Sequence, residues 1–153
     1  MIYTKLTQQA MRLAYAFHDG QKDKAGVPYI FHVAHVAEQM DDEYSTCVAL
    51  LHDTLEDTDV TEENLRRLFP DEIVDAVVAM THRRHESYES YIARIKENEL
   101  AVKVKLADLQ HNLDTTRLAG TGVDMTKKRE KYLNAVRILS ECNGQLSLSD
   151  YSA

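Results

Sequence analysis

His52 and Asp53 stand side by side in the chain, and Glu56 and Asp57 follow one helical turn later. In a helix, residues four apart share a face, so His52 would stand over Glu56 and Asp53 over Asp57. The stretch directly follows the apolar run Val48-Ala49-Leu50-Leu51, which reads as core, with Leu51 and Leu55 as a neighbouring apolar stripe. Charged and ligating groups at the rim of a buried helix are costly unless something pairs with them. A divalent cation is the simplest such partner. An acidic run on its own is usually a solvated face, so a metal site needs ligands from elsewhere in the chain. His32 and Asp108 are the candidates. With His52 and Asp53 they would supply imidazoles and carboxylates from three helices converging on one point. A mixed nitrogen and oxygen set with open positions suits Mn²⁺ or Fe²⁺ and tolerates Zn²⁺. A cation held this way polarises a phosphoryl oxygen and acidifies a water. Glu56 and Asp57 are then spaced to orient that water or move its proton.

Helices must hold these groups. Leu6, Ala10, Leu13, Ala14 and Phe17 recur at helical spacing, which predicts a first helix from Thr4 to about His18. Two glycines, a proline and alternating charges make 19–29 a loop carrying Lys22 and Lys24. Ile30 to Met40 is a second helix, with His32 and His35 near its start, and Glu43 to about Asp57 is a third. Thr61-Glu62-Glu63-Asn64 reads as a capped helix start, and that helix ends near Phe69. Pro70-Asp71-Glu72 opens a fifth, bearing Ile73, Val77 and Met80; its spacing outweighs a β-branched content that would otherwise favour a strand. After the basic break Thr81 to Glu86, Ser87 caps a helix to about Asn98. Glu99 to Thr115 has the clearest stripe, Val102, Leu106, Leu109 and Leu113, with Asp108 and Asn112 one turn apart beside it. Thr126 to Cys142 is the last helix, with Asn143-Gly144 as a left-handed cap. The reading is all-α: a compact fold of roughly seven or eight helices forming a single domain over residues 1–153.

Bulk properties narrow the function. At 153 residues the chain can bury a real core. A net charge of −7 disfavours a nucleic-acid partner, yet a local Lys and Arg cluster can still hold a small anionic ligand. Cys47 and Cys142 fall in apolar helical patterns and read as buried thiols, not as a disulfide framework. Residues 1–5 lack the apolar stretch of a signal peptide and no run reaches membrane length, so a cytoplasmic protein is expected. His18 reads as a packed, hydrogen-bonded residue, and His35 and His111 as surface or supporting groups. Arg83 and Arg84 are either a solvated loop or a phosphate clamp. Lys103 and Lys105 read as helix surface unless Lys105 faces a cleft.

Four stretches then carry a family resemblance. They are His18-Asp19-Gly20-Gln21, Gly26-Val27-Pro28-Tyr29-Ile30-Phe31-His32, Ala49 to Thr58, and Val104-Lys105-Leu106-Ala107-Asp108-Leu109-Gln110-His111-Asn112. In this order they resemble the HD-domain hydrolases of the RelA/SpoT type, which cleave the alarmones (p)ppGpp. The resemblance runs from about residue 4 to residue 118. It implies that His32, His52, Asp53 and Asp108 bind Mn²⁺, that Glu56 and Asp57 act in hydrolysis, and that Asn112 contacts substrate. The implied reaction removes the 3′-pyrophosphate from a small anionic nucleotide. Lys22, Lys24, Arg83 and Arg84 are the phosphate-binding candidates. The chain departs from the family at Asp23, where an arginine usually packs on the guanine base, and at Val33, where a proline usually stands. Asp23 leaves open a different nucleotide or phosphoester as substrate, and a non-catalytic nucleotide sensor is the alternative of another class.

Overall fold

Every residue of one short segment, Ser45 to Leu51, is buried, and the apolar run Cys47 to Leu51 within it forms the centre of the structure. The computed structural model describes residues 1–141. The helices are α1 (Lys5–Phe17), α2 (Ile30–Glu38), α3 (Glu43–Leu51), α4 (Thr54–Asp57), α5 (Glu62–Leu68), α6 (Asp71–Met80), α7 (Tyr88–Lys96), α8 (Glu99–Leu113) and α9 (Thr126–Ser140), with a 3₁₀ turn at Thr115–Leu118. Among the described residues the only pairing outside helices is the isolated bridge Lys22–Pro28, so the all-α reading holds. The Asn143-Gly144 cap and Cys142 lie outside the described residues. Among those residues no helix is long and apolar enough to cross a membrane.

α1, α2, α6 and α8 pack around α3. α8 is sheathed in turn by α7 and α9, so its buried surface extends beyond the expected stripe to Ala101, Val104, Lys105, Ala107, Asp108 and His111. Leu51, Leu65, Ile73, Ile92, Ile95, Leu109 and Leu139 are fully buried. Each such side chain contributes on the order of 1.5–3 kcal/mol by leaving water. The expected starts are found: Thr61 and Asn64 form a reciprocal capping box, and Ser87 accepts from Ser90 N–H.

The expected third helix is broken, which is why the structure has one helical segment more than the sequence suggests. Its carbonyls are taken by side chains. His52 Nδ1 lies 2.6 Å from Ala49 O, and Thr54 Oγ1 donates to Leu51 O at 2.7 Å. Local side-chain bonds of this kind compete with the helical ladder. Asp53 sits between the two segments at φ −102° and ψ 0°, the bridge region of backbone space.

Candidate metal centre and nucleotide cleft

The break turns His52 and Asp53 inward against two other helices. His52 comes from the C-cap of α3, His32 from the first turn of α2, and Asp108 from the middle of α8. One ligand atom each of His32, His52 and Asp53 lie within 4.8 Å of one another. Asp108 Oδ1 is 3.0 Å from His32 Nε2 and 3.7 Å from His52 Nε2. Asp53 Oδ2 is 2.9 Å from His52 Nε2 and 3.8 Å from His32 Nε2.

Whether these groups fit a cation is decided by His52. Its Nδ1–H is committed to the Ala49 carbonyl, and its buried Nε2 makes no hydrogen bond although Asp53 Oδ2 lies 2.9 Å away. A neutral imidazole so fixed presents a lone pair into the cluster. His32 is oriented the same way. Its Nδ1 is 2.6 Å from Nδ1 of the buried His111. One proton must lie between those nitrogens. When His32 offers Nε2 as a ligand, its proton sits on Nδ1 and His111 accepts it. Burial first, then Arg117, pushes His111 down to about 4, so it stays neutral and can accept. Two imidazole nitrogens and two carboxylates thus converge with their hydrogen-bonding edges turned outward, a donor set suited to one divalent cation.

Without a cation the cluster balances its own charge. Burial opposes ionisation of Asp53 and Asp108, yet both titrate low. Facing His52 holds Asp53 down at about 2, and Lys105 holds Asp108 well below the usual carboxylate range. Burial also disfavours a charged His52, but Asp53 and Asp108 outweigh it and raise its pKa well above the ordinary 6.5. Lys105 is buried, with Nζ 2.8 Å from Asp108 Oδ2. It faces the cleft, the second of the two places the sequence left open for it. Tyr29, one turn before His32, donates from Oη to Asp53 Oδ2 at 2.6 Å, and Asn112 Nδ2 reaches Asp108 Oδ1 at 3.1 Å. Burial and then Asp53 raise the Tyr29 phenol above its ordinary value, which keeps it a donor.

The cluster opens into two adjoining chambers that share Tyr29, Glu56, Asp57, Asn112 and Tyr132 as walls. The inner one, about 270 Å³, contains Asp53, Asp108 and Lys105; the outer one, about 550 Å³, contains His32, Lys22, Lys24, Arg117 and Lys128. Glu56 and Asp57 stand exposed at the junction. Glu56 Oε1 accepts from His82 N–H at 2.7 Å. Partial desolvation, then the Asp53 and Glu56 carboxylates, push Asp57 up to about 6. Lys24 is lowered by crowding against Lys128, burial and Lys131, so cations gather here.

Arg83 and Arg84 are exposed and neither lines a chamber. Arg94 accounts for that. It spans the carbonyls of Val78, Ala79 and Thr81 and both Glu86 oxygens, and Glu86 accepts from Arg83 N–H, which tethers this loop's backbone. The loop's contribution to the cleft is instead His82, stacked on Tyr91 at 4.8 Å. His18 is packed as expected, with Nδ1 2.8 Å from Gln21 Oε1. Tyr29, Arg117, Lys128 and Tyr132 are cleft residues that the sequence reading did not assign, and His111 takes the supporting place that reading left open for it. The i, i+3 spacing of Tyr29 and His32 on one helix face could have revealed Tyr29. Arg117, Lys128 and Tyr132 reach the cleft only through packing of the last elements and carry no local signal.

The model of the HD domain family matches residues 10–132. A guanosine-3′,5′-bis(diphosphate) 3′-pyrophosphohydrolase of Aquifex aeolicus is 33% identical over 120 residues, covering 71% of this chain and 17% of the relative. The bifunctional (p)ppGpp synthase/hydrolase SpoT of Escherichia coli is 30% identical over 126 residues, covering 72% of this chain and 18% of the relative. The chain therefore spans less than a fifth of the length of these curated relatives. A solved structure of a metazoan ortholog of SpoT that hydrolyzes ppGpp aligns with a TM-score of 0.75 and 23% identity, covering 99% of this chain and 93% of that one, which shows a shared fold. On the match over residues 10–132, the chain belongs to the HD domain family.

Proposed function

We propose that this chain is a metal-dependent phosphohydrolase that removes pyrophosphate from the 3′ position of a guanosine 3′,5′-bis(diphosphate)-type nucleotide. The observation that carries this reading is the convergence of His32, His52, Asp53 and Asp108 beside two exposed carboxylates and a wall of lysines. The relatives named for (p)ppGpp hydrolysis support the substrate class. A nucleotide substrate also fits a place in the cytoplasm, and the net charge of −7 fits a small ligand better than a nucleic acid.

His32, His52, Asp53 and Asp108 would hold Mn²⁺, with Fe²⁺ or Zn²⁺ as substitutes, all of which a mixed nitrogen and oxygen set with open positions accepts. When bound, it supplies Lewis acidity to the phosphoryl group and lowers the pKa of water. The protein does the rest. Lys22, Lys24 and Lys128 hold the substrate's phosphates in the outer chamber, and Asn112 binds beside Asp108. Glu56 takes the proton of the attacking water at Oε2, because its Oε1 is occupied by His82 N–H. Asp57, at about 6, can hold a proton near neutrality and give it to the ribose oxygen as that oxygen leaves phosphorus. Lys105 lies on the inner chamber wall, where the departing pyrophosphate would emerge. Arg83 and Arg84 are assigned no substrate contact.

The test is incubation of purified protein with ppGpp and Mn²⁺, with products resolved by ion exchange. GDP and pyrophosphate in equal amounts support the reading. No product from ppGpp, with turnover of another nucleotide in a panel, would move the assignment to that substrate. Asp23, in place of a base-packing arginine, is the observation that favours including such a panel. Saturable binding without product from any of them would leave a sensor.

A further inference from the structure

Arg117 and Asp23 meet across the mouth of the outer chamber, 94 residues apart in sequence, with Nη1 3.5 Å from Oδ2. Asp23 cannot swing away. Its Oδ1 accepts from Ala25 N–H at 2.8 Å and Val27 N–H at 3.0 Å, so the carboxylate is built into the turn that Gly26 closes with φ +81°. Arg117 arrives from the 3₁₀ turn Thr115–Leu118, which is itself tied down by Asp114 accepting from Thr116 N–H. The guanidinium is thus held by one edge. Its Nε is buried and has no hydrogen-bond partner.

We propose that Arg117, tethered by Asp23, is the platform for the nucleobase of the substrate, and that this pair sets base recognition in the chain. The inference rests on the nucleotide reading above and deepens it. Size places the base in the outer chamber. At about 550 Å³ it has twice the room of the 270 Å³ inner one, and it adds the apolar walls Leu118 and Met125 to the shared Tyr132. Charge separates the roles of the cations. A guanidinium partly neutralised by a carboxylate is a weaker phosphate clamp than the ammonium groups of Lys22, Lys24 and Lys128 on the same walls. Its planar face stays suited to stacking on a base. Asp23, read from sequence as the loss of a base-binding cation, becomes the anchor for one delivered from elsewhere in the chain.

The experiment uses the full chain loaded with Mn²⁺. KM and kcat are measured for ppGpp, and inorganic pyrophosphate serves as a base-free inhibitor. Arg117→Ala and Arg117→Lys should both raise KM by roughly 5- to 150-fold, the range that stacking a base on one side chain gives. The loss should fall in KM more than in kcat, and inhibition by pyrophosphate should keep its constant, which also reports an intact site. Asp23→Asn keeps the loop acceptor but not the tether, and should raise KM by a smaller factor. Arg117→Lys behaving as wild type would overturn the proposal, since charge alone would then suffice. Pyrophosphate inhibition weakening in step with KM would overturn it too, by making Arg117 a phosphate clamp, and an unchanged KM in Arg117→Ala or Asp23→Asn would do the same. A wild-type protein with no turnover and no calorimetric binding of ppGpp would remove the nucleotide reading itself, whereas failure of the variants alone removes only the platform.

Discussion

Glu56→Gln separates proton transfer from electrostatic support in this cleft. The substitution keeps the side chain's shape. It also keeps one oxygen to accept from His82 N–H, the 2.7 Å contact that fixes Glu56 at the chamber junction. What it removes is the second oxygen's capacity to take a proton. Glu56 is exposed and belongs to none of the ion pairs around the candidate ligands, so stability should shift by no more than about 0.5 kcal/mol. Metal affinity should stay within about threefold, because the cation would be held by groups that Glu56 does not touch. Turnover should fall by roughly 10²–10⁴-fold, the usual contribution of a general base, which is about 3–5 kcal/mol of barrier. The assay is ppGpp hydrolysis at saturating Mn²⁺, with metal content measured on the same sample. Near-wild-type kcat in a fully loaded Glu56→Gln would refute the proton-transfer role. A parallel fall of metal content and turnover would make the carboxylate a charge balancer instead.

Tyr29→Phe removes the 2.6 Å donor that orients Asp53 and should weaken Mn²⁺ binding by roughly 10- to 100-fold, read by calorimetry. Lys105→Met leaves the buried Asp108 carboxylate without its nearest cation; in metal-free protein this should cost about 3 kcal/mol in urea unfolding, and Mn²⁺ should restore part of it. The pH dependence follows from His52. Its pKa in the folded, metal-free protein lies above 6.5, so its contribution to stability is complete below pH 6.5 and is lost as pH rises through that raised value. Metal-free protein should therefore lose thermal stability from about neutral pH upward, and His52→Gln should flatten that slope. Because a ligating imidazole must give up its proton, Mn²⁺ binding near neutrality should release protons, measured as a dependence of binding enthalpy on buffer ionisation.

Most of the helices were legible because their signals are local: apolar residues at helical spacing, and caps such as Thr61 with Asn64 and Ser87 with Ser90. The His52-Asp53 pair was visible because a polar pair directly abuts a run that can only be core. The break between α3 and α4 was not, since a continuous helix satisfies the same pattern. It forms because the His52 and Thr54 side chains capture the carbonyls of Ala49 and Leu51, a competition that propensity does not register. Lys105 was left between surface and cleft because a lysine between apolar positions usually reaches water; here α7 and α9 cover α8 and Asp108 supplies the compensating charge. Arg117 and Lys128 enter the cleft from elements far along the chain, and nothing in their neighbours' residue types forecasts it. Arg83 and Arg84 were attractive as adjacent cations, but the bonds of Arg94 and Glu86 organise their loop around His82 instead.

The most direct test of the metal-dependent reading is a titration of chelator-stripped protein with Mn²⁺, following bound metal and ppGpp turnover in the same tube. Turnover should be absent in the stripped protein, rise in proportion to bound metal, and saturate at a single ion per chain. Asp53→Ala should show neither binding nor turnover over the same range, while retaining its helical circular dichroism. Full turnover in stripped protein, or an Asp53→Ala variant that binds Mn²⁺ and hydrolyses ppGpp like wild type, would contradict the account.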